Sequence, residues 1–199
     1  IDIRIYNSVM IQKGFDSVRT YNWGVYSGKY KVLVNVPIAL ANAMCSSIVP
    51  VLAALMVRAE FGRAKERINQ AMRFTMLVAI PSAVGLAVLA RPIITMLFRG
   101  EIDMAVNLLH IGSISVVFYT MSTLTNGVLQ GINKMQIPVR NAVIALVIHI
   151  AFLYATLQFG WGIHAVVYAN ILFAVIVCIL NALAIKKYLN YRQEYIRTF

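Results

Sequence analysis

The stretch Val32–Met56, VLVNVPIALANAMCSSIVPVLAALM, contains no Asp, Glu, Lys or Arg. At a helical rise of roughly 1.5 Å per residue it is long enough to cross the roughly 30 Å hydrocarbon core of a bilayer. It is also far longer than an ordinary strand. Four further blocks share its apolar character: Phe74–Phe98, Ala105–Ile132, Val139–Phe159 and Ile163–Ile185. None keeps a period of two, so buried strands are excluded and each block is read as a spanning helix. The fold class expected is all-α, a polytopic membrane helix bundle.

Composition agrees with this reading. Of the 199 residues, 60% are hydrophobic and 13% charged, whereas soluble domains carry about a quarter charged residues. A water-soluble body of this size has no means of hiding so much apolar surface. A net charge of +11 in a soluble chain would point to nucleic acid. Here the Lys and Arg lie in short clusters between apolar blocks, where they orient helices in a membrane, so no nucleic-acid partner is expected. Cys45 and Cys178 both fall inside apolar blocks and lack CxxC or Cys/His spacing, which makes them small buried residues rather than a disulfide or zinc pair. The patterns GxSxG, GxxxxGK[ST] and HExxH are absent. The sequence therefore offers no catalytic residues, metal site or cofactor, and any pumping has to draw on an ion gradient or the membrane potential.

Loop charge gives the topology. The segment Arg58–Arg73, the turn Asn133–Arg140 and the tail with Lys186, Lys187, Arg192 and Arg197 are rich in cations. They alternate with poorer connections at Arg99–Met104 and Gly160–Ile163, which places the rich set in the cytoplasm. The chain starts at Ile1 without an initiator Met, so residues 1–11 read as the end of a truncated transmembrane helix. Residues 12–31 then form an extracytoplasmic basic loop, 32–185 the five helices (32–56, 74–98, 105–132, 139–159, 163–185) and 186–199 a cytoplasmic basic tail. The loop 12–31 breaks the charge rule, carrying Lys13, Arg19, Lys29 and Lys31 against Asp16 alone. Either neighbouring segments dominate the topology, or some of these cations face a cavity and meet an anionic substrate.

Asp2 and Arg4 are ionisable residues at membrane depth, and two positions apart they point to different sides of a helix. Each is either functional or a structural, snorkelling group. Pro37 and Pro50 in one helix, and Pro81 and Pro92 in or after the next, predict bent helices, around a cavity or for packing. Asn35, Asn42 and Ser46 lie seven and four residues apart on one helical face, and Lys31 extends the stripe; Ser47, Asn126 and Gln130 add further polar groups. The stripe either lines an aqueous path or bonds to neighbouring helices. His110, His149 and His164 are isolated in sequence. For His149, in mid-helix, a helix-to-helix hydrogen bond competes with a proton relay.

Three runs carry a resemblance to a known family. GVYSGKYKVLVNVPIALANAMCSSIVPVLA (24–53) has a small-residue and Tyr entry before a helix with two prolines. FGRAKERINQAMRFTMLVAIPSAVGLAVLARPIITMLFRG (61–100) has a mid-span Pro and an A-x-P-I-I-x-x-L-F exit, and GVLQGINKMQIPVRNAVIALVIHI (127–150) contains LQG-x-x-K-x-x-x-P. In this order they resemble the multidrug/oligosaccharidyl-lipid/polysaccharide exporter superfamily, nearest its stage V sporulation protein B-like and MurJ-like branch. The resemblance implies a fourteen-helix protein of two six-helix lobes, of which this chain is a C-terminal lobe from the end of helix seven through helix twelve, with the N-terminal lobe as its missing partner. It further implies flipping of undecaprenyl-pyrophosphate-linked cell-wall or polysaccharide precursors of the lipid II type across the cytoplasmic membrane by alternating access, among membrane lipids.

Members of that branch hold pyrophosphate with cavity arginines and an Asp-Arg pair near the start of the eighth helix. The matching place here is Ser27-Gly28-Lys29-Tyr30-Lys31, with Lys for Arg and no acidic residue, and lysine still supplies a point charge for phosphate. The substrate-binding candidates are accordingly Lys29, Lys31, Arg19, Arg4, Asn35 and Asn42, with Asp2 as the ion-coupling candidate. A Na⁺- or H⁺-coupled multidrug extruder and a non-transporting membrane scaffold are the alternatives.

Overall fold

The computed structural model describes residues 1–100 and 102–189. The tail positions Arg192 and Arg197 thus lie outside the described residues. Nine α-helices and one π-helical turn account for nearly all of the described chain, and no strand occurs among the described residues.

Helix α1 (Asp2–Gln12) turns at Gly14, whose φ of +76° is open to glycine at no steric cost. Helix α2 (Asp16–Val25) runs through the π turn Tyr26–Tyr30 directly into α3 (Lys31–Val57). The expected loop 12–31 is therefore mostly helix. Hydropathy marks where lipid begins, and a polar helical stub lies beyond that mark. The same reason shifts the next boundary. Helix α4 (Phe61–Val88) begins within the basic segment, where Arg63 bonds Glu60 at 2.8 Å and Arg67 bonds Gln70 at 3.0 Å. The expected span 74–98 then breaks at Leu89, and α5 (Ala90–Leu97) follows. Pro92 has no N–H to give the carbonyl four residues back, which explains a break at this point.

Helices α6 (Asp103–Gly112) and α7 (Ile114–Gly131) meet at a bend of 47°. The bend has a side-chain cause: the Ser115 hydroxyl donates to the Gly112 carbonyl at 2.5 Å and that of Ser113 to His110 at 3.1 Å, taking over acceptors of the interrupted ladder. Helices α8 (Gln136–Gln158) and α9 (Gly162–Leu189) complete the bundle. Among the described residues, four helical runs are long and apolar enough to cross a membrane, and five if the bent pair counts as one.

Helix α7 is the hub. It packs most extensively on α3, α9 and α4, while α8 packs outside α9 and receives α1 on its flank. The α3–α7 contact is close because α7 offers glycine. A Cβ at Gly127 would run into the Cys45 sulfur, and one at Gly131 would lie 2.7 Å from the Leu52 Cβ. Such a Gly-x-x-x-Gly face lets helices approach in lipid, where dispersion contacts must substitute for the hydrophobic effect. Cys45 and Cys178 are half-buried free thiols.

Two apolar clusters divide the bundle lengthwise. One contains Leu52, Ile68, Leu129, Ile137, Ile185 and Leu189, residues that flank the three cation-rich connections. Lys134 also sits over the Tyr188 ring at 5.1 Å. These connections therefore share one end of the molecule. The other cluster gathers Tyr6, Tyr26, Tyr30, Leu109, Leu157 and Ile163 around the opposite end.

Candidate functional site

Two arrangements of polar groups emerge from this framework: an uncovered stripe on α3 and a closed cluster where α1 meets α8 and α9.

The stripe is built by helical spacing. Lys31, Asn35, Asn42 and Ser46 are all exposed on α3. Ser46 and Ser47 satisfy their hydroxyls within the helix, on the carbonyls of Asn42 at 3.0 Å and Ala43 at 3.2 Å. The helix as a whole is poorly covered. In its most apolar stretch only 17% of residues are buried, against 33–39% for the other three long spans. A polar face left open on a membrane helix must meet either water in a cavity or another part of the protein, because lipid satisfies neither Asn nor Lys.

The cations are dispersed, and some have structural duties. Lys13 donates to the carbonyls of Leu157 at 2.9 Å and Gln158 at 2.6 Å, so it caps the C-terminus of α8 and complements its dipole. Lys29 leaves the π turn toward the end of α5 and donates to the Arg99 carbonyl at 3.2 Å. These two contacts give part of the excess positive charge in 12–31 a role at helix ends. Arg19 is half-buried beside the Tyr6 hydroxyl, and Arg4 is exposed on α1. Lys31 alone of these candidates continues the α3 stripe with Asn35 and Asn42.

The closed cluster joins Asp2 to His149, residues 147 apart in sequence. The His149 ring is 3% exposed. Its Nε2 lies 2.9 Å from Asp2 Oδ1 and its Nδ1 2.8 Å from the Ala169 carbonyl. Phe173 meets the ring edge-on at 5.9 Å. Asn170 stands beside them, donating from Nδ2 to Tyr26 Oη at 3.1 Å, to the Val166 carbonyl at 2.8 Å and, at longest range, to Asp2 Oδ2 at 3.4 Å. Its Oδ1 accepts from the Tyr119 hydroxyl at 3.0 Å. An aromatic run, Tyr6–Trp23–Tyr26–Tyr30 with centroids 5.2–5.7 Å apart, fastens α1 to the π turn at this level.

Asn170, Tyr26 and Tyr119 are the members that sequence reasoning missed. A signal for Asn170 existed: Asn170 and Asn181 both interrupt the apolar block 163–185, and eleven residues apart they share a face. Asn181 builds a second buried knot, accepting from Asn141 at 2.9 Å and donating to Thr125 at 3.2 Å and Asn126 at 2.7 Å. All its partners are helix side chains, so it reads as interhelical glue. The expected polar residue Asn126 thus bonds α9.

Taken together, a bundle of long apolar helices with one uncovered polar face and a half-buried Asp–His contact has the build of a multi-pass membrane protein. The profile of the family described as "Lipid II flippase MurJ" matches residues 27–199. The chain belongs to that family, whose members are multi-pass proteins of the cytoplasmic membrane. It is similar to the lipid II flippase MurJ of Bacillus subtilis (strain 168), with 26% identity over 151 residues, covering 74% of this chain and 28% of that protein. It is also similar to the probable lipid II flippase MurJ of Bdellovibrio bacteriovorus, with 24% identity over 163 residues, covering 78% of this chain and 31% of that protein. The chain thus spans under a third of the length of these relatives. No solved structure matches it. Neither the family profile nor these relatives lend support to the multidrug-extruder alternative.

Proposed function

We propose that this chain is one lobe of a flippase that carries an undecaprenyl-pyrophosphate-linked cell-wall or polysaccharide precursor of the lipid II type across the cytoplasmic membrane. The observation that carries this reading is the uncovered stripe Lys31-Asn35-Asn42 on the least buried spanning helix. Facing a second lobe, it lines a wet path for the sugar and pyrophosphate while the isoprenoid tail stays in lipid, and rocking of the lobes alternates access. Lys31 supplies a point charge for the pyrophosphate at one end of the stripe, and Lys29, Arg19 and Arg4, dispersed over the π turn, α2 and α1, add to the positive potential. The end that bears Arg58–Arg73 is the cytoplasmic one. Translocation makes and breaks no covalent bond, so no catalytic group is needed.

The test is a reconstituted transport assay with the complete protein, offering a lipid-linked precursor and, separately, a cationic drug. Movement of the precursor alone is expected. Movement of the drug alone would return the multidrug reading, and movement of neither would favour a scaffold.

A further inference from the structure

We propose that Asp2 and His149 form a proton-binding site at the α1–α8 contact, with the proton as its ligand. The site follows from counting hydrogens. The Ala169 carbonyl only accepts, so His149 Nδ1 must carry its hydrogen and donate it at 2.8 Å. Nε2 then faces Asp2 Oδ1 at 2.9 Å, the length of a hydrogen bond. That contact holds only if one proton lies between the two atoms, on Nε2 as imidazolium or on Oδ1 as carboxylic acid. Without it, a ring lone pair and a carboxylate, both acceptors, confront each other, the ring 3% and the carboxylate 28% exposed.

Loading is therefore binary. A proton from water forms an N–H or O–H bond at the pair and draws α1 onto α8. Its return to water breaks that bond and drives the two helices apart. The groups that face the pair do not replace this proton. Asn170 from α9 reaches Asp2 only at 3.4 Å, and its Nδ2 is shared with Tyr26 and the Val166 carbonyl. From the π turn and α7 come the phenols of Tyr26 and Tyr119, which are bound to Asn170. On α1 itself, Arg4 is exposed, while from α2 Arg19 lies near Tyr6. The location is deep: His149 lies about 14 Å from the end of α8 at Gln158, at roughly 1.5 Å per residue. A proton held there and released to the other side ties a gradient to helix movement. That last step rests on the flippase reading, whereas the site itself does not.

Two arms of one experiment separate these claims, both on the complete protein. In the first, thermal unfolding in detergent is followed across pH for wild type, Asp2→Asn and His149→Gln. The amide introduced by Asp2→Asn donates to a neutral Nε2 and so keeps the contact without a titrating proton. The wild type is expected to lose stability as pH rises through release of the shared proton, and both variants to lose that step. A step of equal size in all three overturns the site, as does a wild type that responds to added Na⁺ at fixed pH and not to pH. In the second arm, an imposed pH gradient is expected to accelerate precursor flipping by wild type and not by Asp2→Asn. If the first arm succeeds and no precursor moves, the proton site stands and the flippase reading falls.

Discussion

Gly131 on α7 lies against Leu52 on α3 so closely that a Cβ added to it would stand 2.7 Å from the Leu52 Cβ and 3.2 Å from the Val49 carbonyl. Neither obstacle is the free end of a flexible side chain. Gly131→Ala must therefore push α3 off the hub helix, and overpacking of this kind costs about 1–3 kcal/mol. Gly85→Ala in α4 is the matched control. Nothing lies within 4 Å of the added carbon there, and alanine in a helix interior gains about 0.5–1 kcal/mol over glycine. Thermal unfolding in detergent should show opposite signs for the two substitutions.

Gly127 differs from its neighbour in what obstructs it. The nearest atom is the Cys45 sulfur, a removable side chain. Gly127→Ala should destabilise the protein, and Cys45→Ala in the same chain should restore a large part of the loss. A double-mutant cycle measures that coupling, and strict additivity would show that the contact is loose.

What the sequence made legible was the solvent. Runs such as Val32–Met56 announce lipid by composition, and the all-helical bundle follows from that. Helix ends were less legible, because hydropathy reports where lipid stops and not where a helix does. Arg67 and Gln70 keep α4 helical across a polar segment that composition reads as a connection. The polar stripe on α3 was readable because its members share one helix and a 3.6-residue period sorts them. The Asp2–His149 pair was not, since nothing local to either residue names a partner 147 positions away. The role of Lys13 was hidden for the same reason: its partners are two carbonyls on α8, and no side-chain pattern records a carbonyl left over at a helix end.

Asn181 is fully buried and bonds to side chains on both α7 and α8. Asn181→Leu keeps much of the volume and removes every one of these bonds, leaving Asn141 buried without its acceptor. A loss of about 1–3 kcal/mol is expected from the orphaned group. Asn141→Leu added to Asn181→Leu should recover part of it, because both ends of the contact are then apolar. Unfolding midpoints of the two variants decide the matter.

Lys13 tests whether charge in the first thirty residues is structural. Its Nζ sits on the final carbonyls of α8 at 2.9 and 2.6 Å. Lys13→Glu sets a negative charge against the negative end of that helix and should destabilise by about 1–2 kcal/mol, while Lys13→Arg preserves a donor and costs less. Precursor flipping per folded molecule should be unchanged in Lys13→Arg. A large transport defect in a stable Lys13→Arg protein would move this residue from the scaffold to the pathway.

Lys31 carries the opposite expectation. It is exposed on α3 and heads the stripe with Asn35 and Asn42, so its replacement should leave folding and insertion intact. If its charge meets a pyrophosphate, Lys31→Ala removes an attraction and Lys31→Glu replaces it with repulsion, whereas Lys31→Arg keeps the charge. Flipping rates in vesicles should fall in the order Arg, Ala, Glu, by at least about tenfold between the first and last, which corresponds to about 1.4 kcal/mol. The salt dependence should weaken in the same order, because screening acts on the attraction that Lys31 supplies. Asn35→Leu and Asn42→Leu make the stripe apolar without touching charge, and should slow flipping while leaving its salt dependence as in wild type. Equal rates for Lys31→Arg and Lys31→Glu in properly inserted protein would remove Lys31 from the substrate path.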